Sequence, residues 1–366
     1  DMVSAQVESD EASAWFTLHG KATVDQAPDM LAIMRDILLT VKMDDRDRFR
    51  QIVLESKARL EASLVPSGHS YVNTRLRATY SEAGWVGEQL GGISYLFFVR
   101  DLAEKVENDW PAVLASLEAV REYVVKGKGM VANVTLDGNN WRRFEPQLAD
   151  FVGALPVADT ARAIWTPSPL PEHEGLSIPA QVNYVGKGAN LYELGYEYDG
   201  SVNVISNLVR TGWLWDKIRA QGGAYGAFCR FSKQTGVWSY LSYRDPNLLN
   251  TLDNYDATAA FLRRHELSDD ELTKAIIGAI GSMDGYQLPD AKGYSSMSRY
   301  LSGETDARRQ QARDGILSTT QADFLRFADV LEEANRPGRM VVLGSADALN
   351  AANDELGGVL EIRKAL

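Results

Sequence analysis

Apolar side chains recur at helical spacing over most of the first half of the chain. Residues 25–41 carry them every three or four positions, with Pro28 placed to fit the first turn of a helix. Residues 44–64 form a second such segment, rich in Arg, Lys and Glu, and further helical segments follow up to residue 125. Residues 139–155 are amphipathic at the same period. The first half is therefore predicted to be mainly helical.

Strand-like and turn-like stretches interrupt these helices. Residues 14–23 and 129–136 predict strands, and Pro66-Ser67-Gly68 predicts the turn that ends the second helix. Between residues 166 and 179 no helical period survives, because each proline there removes a backbone donor: Pro167, Pro169, Pro171 and Pro179. We predict an interdomain linker at residues 156–178, between a domain at residues 1–155 and one at residues 179–366.

The second half of the chain predicts an alternation of strands and helices. Thr235-Gly236 separates the two strands of a hairpin. Asp245-Pro246 supplies an N-cap residue and a first-turn proline, and Ser268 with Glu271 forms a capping box. The predicted strands are residues 180–187, 224–231, 237–243 and 339–343; the predicted helices are residues 201–219, 246–264, one that begins at 269 and two more that reach 333.

The order of these elements repeats. The strand with Trp15 and its helix match the strand with Trp238 and its helix, and Met130-Val131 matches Met340-Val341. An offset of more than 200 residues indicates a duplicated domain, since solenoid repeats are about 20 to 50 residues long. Residues 176–236 precede the Trp238 strand, whereas only 14 residues precede Trp15. We therefore expect two homologous α+β domains, the first without its N-terminal strands, in the C-terminal piece of a larger polypeptide.

Composition and charge exclude several classes of protein. The 38 basic and 50 acidic residues give a net charge of -12, which disfavours sequence-independent binding to nucleic acid or anionic lipid but is compatible with a local basic groove. A single cysteine rules out an internal disulfide framework. The longest apolar run, residues 93–99, is far shorter than the roughly 20 residues that span a bilayer.

The sequence lacks the common catalytic motifs. A zinc peptidase helix needs two histidines four residues apart with a glutamate between them, and none of the four histidines has such a partner. We interpret all four as surface or structural residues: His19, His69, His173 and His265. Cys229 alternates within a predicted strand and is interpreted as a small buried hydrophobic residue. We predict no metal site in this chain.

The segment from Arg219 to Gly226 carries the strongest chemical signal. A predicted helix ends with Arg219, two glycines follow, and Tyr225 enters a strand between small residues. In a structural interpretation Arg219 complements the helix dipole and Tyr225 packs on the sheet. In a functional interpretation the glycines let another backbone approach, and the two side chains donate hydrogen bonds to a peptide carbonyl that becomes an oxyanion. The pattern alone leaves both open.

These residues also carry a family resemblance. Together with Cys229-Arg-Phe231 and residues 240–247, the segment resembles the C-terminal half of presequence proteases, a branch of the pitrilysin/insulinase zinc metallopeptidases. Residues 18–22, 65–69 and 91–96 are similar to the same branch. The resemblance covers nearly the whole chain.

The resemblance implies a fold and a role. The family has four homologous α+β domains, each a mostly antiparallel sheet covered by helices, in two halves that close around an unfolded peptide. The N-terminal half carries the zinc, so this chain would be most of the third domain and the fourth. Arg219 and Tyr225 match the arginine and tyrosine that reach the substrate near the metal, beside the substrate-binding segment Gly222, Gly223 and Ala224. The chain alone is then expected to be inactive and to need no cofactor of its own.

Two rival functions stay open. A diverged relative could have kept the fold as a structural or peptide-binding module without enzymatic activity, and an autonomous hydrolase is a more distant alternative. The expected partners are the N-terminal catalytic half and an unfolded peptide, with no nucleic acid and no membrane. We expect a bacterial cytoplasmic location, or an organelle matrix in eukaryotic relatives.

Overall fold

The computed structural model describes residues 2–5, 11–159 and 164–366. Residues 1 and 6–10 of the expected first domain and residues 160–163 of the expected linker lie outside the described residues. The fold is a mixed α+β arrangement, in which helices flank one six-stranded sheet. In the described part of the chain no helix has the length and apolarity that a bilayer span requires.

The six-stranded sheet has the order β5-β6-β4-β7-β3-β8. The pairs β5-β6, β6-β4 and β4-β7 are antiparallel, whereas β3 is parallel to both β7 and β8. The sheet is therefore mostly antiparallel, with a parallel corner. Its strands are β3 (His173–Ser177), β4 (Tyr184–Asn190), β5 (Gly226–Phe231), β6 (Val237–Tyr243), β7 (Arg339–Gly344) and β8 (Glu361–Lys364).

The first part of the chain is mainly helical, as predicted. Its only sheet in the described residues is the antiparallel pair β1 (Met2–Ala5) and β2 (Ala12–Trp15). Its helices are α1 (Ala27–Arg35, extended by the π-helical turn Asp36–Thr40), α2 (Arg46–Ser63), α3 (Gly68–Arg77), α4 (Glu82–Gly91), α5 (Ile93–Asn108), α6 (Trp110–Val124) and α7 (Gly138–Gly153).

Two strand predictions in this part were wrong or too long. The strand predicted at residues 14–23 ends at Trp15, because its partner β1 offers only four residues for pairing. The strand predicted at residues 129–136 is absent: Met130 and Val131 are more than a third exposed, and no neighbouring strand in the described residues supplies hydrogen bonds to this segment. The proposed match between Met130-Val131 and Met340-Val341 is therefore not a match between strands.

The second part of the chain supplies the sheet and eight helices in the described residues. The hairpin around Thr235-Gly236, the capping box of Ser268 and Glu271, and strand β7 are confirmed. The helices are α8 (Ser201–Leu208, continued by the π-helix Val209–Gln221), α9 (Leu249–Asp256), α10 (Thr258–Arg264), α11 (Asp269–Met283), α12 (Pro289–Ser302), α13 (Asp306–Leu317), α14 (Gln321–Asn335) and α15 (Ala346–Glu355).

Several details differ from the predictions for this part. Asp245 does not cap a helix: it is fully buried and accepts hydrogen bonds from Asn247 and Thr251, and α9 begins only at Leu249. Three helices, not two, follow α11 before β7, and β4 begins four residues later than predicted. The segment predicted as linker contains β3, an interior strand of the sheet. The division into residues 1–155, 156–178 and 179–366 stays a prediction.

Helix α3 joins the first part of the chain to the sheet. A Cβ atom on Gly186 of β4 would lie 2.3 Å from Val72 of α3, so the helix and the sheet meet in close contact. Val72 and Leu76 belong to the same buried cluster as Leu241 of β6. Residues 173–344 cover the opposite face of the sheet with α8 and α14, where Phe327 packs against Trp238. The sheet is thus buried on both faces.

A buried ion cluster reinforces this joint. Arg75 of α3 donates two hydrogen bonds to Glu174 of β3, at 2.6 and 2.9 Å, and a third to Glu88 of α4 at 3.1 Å. All three side chains are at most 4% exposed. Burial lowers the pKa of Arg75, but its bonds and charge pairing with the two glutamates outweigh burial and raise it. Burial raises the pKa of Glu88, and Arg75 and Ser94 oppose that shift.

Candidate functional site

Arg219 lies in the last turn of the π-helix that continues α8. Its guanidinium stacks over the Trp215 ring, with Cζ 3.9 Å from the ring centroid. The two residues are four positions apart, and such spacing brings side chains together on one helical face. A cation over an indole ring is held at ~0.5 to 1 kcal/mol when exposed. Trp215 therefore fixes the direction of Arg219.

The two glycines after the helix have different roles. Gly223 has φ of 81°, in the left-handed region that favours glycine, and its N–H donates to the Arg219 carbonyl at 3.0 Å. Gly222 has an ordinary helical φ, but a Cβ there would lie 2.6 Å from the Ile218 carbonyl oxygen. The Gly222 carbonyl accepts a 2.6 Å hydrogen bond from Asn247, which ties the turn to the segment after β6. The predicted positive φ is thus confirmed for Gly223 and wrong for Gly222.

Tyr225 stands immediately before β5, at the edge of the sheet. Its N–H donates to the Tyr243 carbonyl at 2.9 Å, which holds the backbone to β6, and Ala224 beside it is buried. The Tyr225 side chain is 69% exposed, and its ring meets the Tyr243 ring edge-on at 5.8 Å. The structural interpretation, in which Tyr225 packs on the sheet, leaves most of this side chain unexplained. An exposed phenol is available to donate a hydrogen bond to a bound molecule.

An aromatic cluster supports Tyr225 from behind. The Tyr243 ring contacts His69 of α3 at 4.9 Å and Tyr184 at 5.8 Å, and Arg244 lies over the same ring. Arg244 has φ of 49°, a left-handed conformation at the end of β6. Burial, together with the charge of Arg230, lowers the pKa of His69, so its ring is neutral at pH 7 and packs as an aromatic residue.

The structure brings the predicted site residues to one end of the sheet. Arg219 and Tyr225 flank the two-glycine turn, and each rests on an aromatic ring, Trp215 or Tyr243. Sequence reasoning missed these two supports and Asn247. The spacing of Trp215 to Arg219 was a visible signal. The others were not visible, because their contacts join distant segments.

Metal ligands do not gather in the described residues. In that part of the chain no group of three His, Cys, Asp or Glu side chains could hold a metal ion. His69 packs on Phe228 and Tyr243, His265 packs on Phe261, and His19 faces Tyr294. The fourth histidine, His173, begins β3. Cys229 is buried, its thiol donates to the Ser206 carbonyl, and burial raises its pKa to about 12, as expected of an inert core residue.

Replacing Gly223 by alanine should strain the turn that presents Tyr225. The left-handed conformation costs a non-glycine residue roughly 1 kcal/mol, while the space for a methyl group is open. We expect a modest loss of thermal stability and a displaced Tyr225 ring, seen as a changed tyrosine fluorescence or NMR signal. Gly212→Ala is the matched control, because a Cβ there meets no atom within 4 Å and the helix continues around it. Equal stability of the two variants would contradict the assigned role of Gly223.

Comparisons with known proteins agree on one family. A model described as the PreP C-terminal domain matches residues 173–346, and a second model, described as associated with peptidases of family M16, subfamily C, matches residues 1–102. Presequence protease 1, chloroplastic/mitochondrial, of Arabidopsis thaliana is 45% identical over 358 residues, which is 98% of this chain and 33% of the relative. Protein HypA of Clostridium perfringens is 26% identical over 98% of this chain and 36% of the relative. The chain spans about a third of the length of these relatives.

Solved structures agree on the fold. A peptidase M16 inactive domain from Pseudomonas fluorescens aligns with a TM-score of 0.59 and 14% identity, over 88% of this chain and 76% of that one. Pitrilysin aligns with a TM-score of 0.56 and 12% identity, over 87% of this chain and 33% of that one. The six-stranded sheet with its flanking helices is therefore an architecture seen in peptidase domains.

Proposed function

The chain belongs to the presequence protease branch of the pitrilysin/insulinase zinc metallopeptidases and corresponds to their C-terminal domain region; from that premise we propose that it is the substrate-binding, chamber-closing half of a peptidase for unfolded oligopeptides. Its partner is the N-terminal catalytic half of the same polypeptide, and its ligand is a peptide. We also propose a bacterial cytoplasmic location, since one similar protein is bacterial and another is named for organelles.

One observation carries the proposal: an exposed tyrosine and an aromatic-backed arginine flank a glycine turn at a sheet edge. Tyr225 offers a hydroxyl that can donate to a carbonyl oxygen as it gains negative charge, where fixed donors contribute most to catalysis. Arg219 offers a planar fork of donors that suits a peptide backbone or carboxylate. The substrate backbone would run along Gly222, Gly223 and Ala224, where the turn leaves room for it.

The zinc of this family does not fit the described residues, because they contain no set of three ligands. We therefore place zinc in the N-terminal half and derive no catalytic step through it. This chain supplies binding and hydrogen-bond donors only. The rival function, a structural or peptide-binding module without an active partner, uses the same exposed side chains and differs only in what the other half contains.

Peptidase activity and metal content test this proposal together. The 366-residue chain alone should hold far less than one zinc per chain after dialysis and should not cleave a quenched fluorescent peptide. The full-length polypeptide should hold about one zinc per molecule and cleave the same peptide. Stoichiometric zinc or activity in the chain alone would overturn the proposal, and a zinc-free, inactive full-length polypeptide would establish the structural module instead.

A further inference from the structure

A cavity of about 1320 Å³ opens beside the outer edge of β5. One wall comes from α3 and α4, and the opposite wall comes from α8 and its π-helical extension, with α11 and α13. Cys229 of β5 and the turn residues Ser232, Lys233 and Gln234 form the back of the cavity between these walls. The cavity is thus a groove along an edge strand, and it lies apart from Arg219, Tyr225 and the glycine turn.

The lining of this groove is basic, although the chain as a whole carries a net charge of -12. Each of the three lining carboxylates is already paired: Asp284 with Arg313, Glu304 with Lys233, and Asp306 with Arg309. Three lining arginines have no carboxylate partner among the described residues: Arg77, Arg210 and Arg299. The groove therefore holds positive charge that the described part of the chain does not neutralise.

Arg77 is the most unusual of these cations. It is partly buried at the end of α3, and its Nε atom is inaccessible and has no hydrogen-bond partner in the described residues. Burial and the nearby charge of Arg230 lower its pKa. An arginine held this way is costly unless an anion pairs with it. This second observation points to a ligand rather than to a solvated basic surface.

The backbone of β5 is also available for pairing. β5 is the terminal strand of the sheet, and no described strand pairs with its outer edge. Ser232 donates to the Val237 carbonyl, so Ser232 and every second residue before it face β6. In an antiparallel ladder the residues between them direct N–H and C=O groups the other way. Cys229 and Phe231 therefore present their backbone groups to the outer edge, and Cys229 lines the groove.

The unpaired arginines flank this edge from opposite faces of the sheet. Arg77 acts on Arg230, whose partner in the ladder, Ser239, bonds Asn73 of α3. Arg210 acts on Cys229, which packs on the other face against α8. A strand added beside β5 would run between the two cations. Since successive side chains of a strand point to opposite faces, two adjacent acidic residues would reach one arginine each.

We propose that this groove binds an acidic, extended peptide segment, which adds to β5 as a seventh strand and places adjacent carboxylates on Arg77 and Arg210. The proposal rests on the proposed peptide-binding function and names the class of peptide that the domain holds away from Arg219 and Tyr225. Strand addition supplies affinity through the backbone, and the arginines supply selectivity for acidic side chains.

Binding of a labelled peptide to the 366-residue chain tests the proposal without any peptidase activity. The probe is a rhodamine-labelled, ten-residue peptide rich in Thr and Val with two adjacent glutamates at its centre, followed by fluorescence anisotropy. Replacing both glutamates by glutamine should weaken binding about tenfold or more, and replacing both by lysine should abolish it, because charged hydrogen bonds are the strong ones. N-methylation of alternate peptide nitrogens should abolish binding, because it removes the backbone donors.

The protein variants test the two arginines. Arg77→Gln and Arg210→Gln should each weaken binding of the acidic peptide about tenfold and leave binding of the glutamine peptide unchanged. Arg309→Gln is the matched control, since Arg309 lines the same groove but is paired with Asp306, and it should change binding by less than about twofold. Circular dichroism confirms folding, and exposed Arg210 keeps the test decisive if Arg77→Gln unfolds.

Other outcomes would overturn the proposal. Equal binding of the acidic and lysine peptides, or unchanged affinity in both arginine variants, would remove the arginines from recognition. Complete displacement of the peptide by inorganic phosphate at its own low affinity, with no effect of N-methylation, would leave a small-anion site and no added strand. Inactivity of the full-length polypeptide, by contrast, would overturn the peptidase function and leave this binding result standing.

Discussion

Tyr225→Phe is expected to lower kcat of the full-length enzyme by about 10² to 10³, the usual effect of losing one oxyanion donor. The substitution removes only the hydroxyl, and the ring keeps its edge-on contact with Tyr243. Because the side chain is 69% exposed, the variant should fold and melt like the parent. The effect should therefore appear in turnover and not in stability, as measured by steady-state kinetics and thermal unfolding.

A matched control separates this role from a general effect of surface tyrosines. Tyr300 of α12 is 75% exposed, so Tyr300→Phe should leave kcat, KM and stability unchanged. A structural role for Tyr225 gives the opposite forecast, with a lower melting temperature and normal turnover. Normal kcat in well-folded Tyr225→Phe would exclude the tyrosine from the mechanism.

Arg219 should act more on binding than on turnover. We expect Arg219→Ala to raise KM, and Arg219→Lys to restore little of the loss, because lysine lacks the planar fork that pairs with a backbone or carboxylate and that stacks on Trp215. A variant at Trp215 should show a weaker form of the same defect, since Trp215 positions Arg219 without reaching the peptide. Unchanged KM in Arg219→Ala would contradict this assignment.

Local patterns predicted the helices and the glycine turn, because the causes of both lie within a few residues. The caps of α11 and the left-handed Gly223 need nothing from elsewhere in the chain. Strands depend on partners, and residues 129–136 show the consequence: their side chains suit a strand, but no described strand pairs with them. The edge strand β8, Glu361–Lys364, was missed for the converse reason, since its exposed residues give no apolar pattern.

Strand β3 was hidden by a long-range interaction. Its sequence contains a charged residue, Glu174, beside prolines that indicate a linker, yet Glu174 is 2% exposed in an interior strand of the sheet. Such burial is tolerable only because Arg75, 99 residues away, meets the carboxylate with two hydrogen bonds. No periodicity within the strand could reveal that partner. The candidate site has the same limit, since Tyr243 and Asn247 reach it only through the fold.

The buried ion cluster yields the largest expected loss of stability. Arg75→Met should lower the free energy of unfolding by about 3 to 5 kcal/mol, because it strands the carboxylates of Glu174 and Glu88 in a core that excludes water. Urea unfolding followed by tryptophan fluorescence measures the change. Arg263→Met is the matched control: Arg263 also pairs with two carboxylates, Asp329 and Glu332, but all three side chains are at least 36% exposed. It should cost less than about 1 kcal/mol.

A double substitution shows whether the loss comes from stranded charge or from lost packing. If it comes from stranded charge, Arg75→Met combined with Glu174→Met should be much less destabilised than the sum of the two single variants, because the main uncompensated carboxylate is gone. If Arg75 acts only by filling space between α3, α4 and β3, the two losses should simply add. Additive losses, or a single-variant loss no larger than that of Arg263→Met, would show that this cluster does not hold the first part of the chain to the sheet.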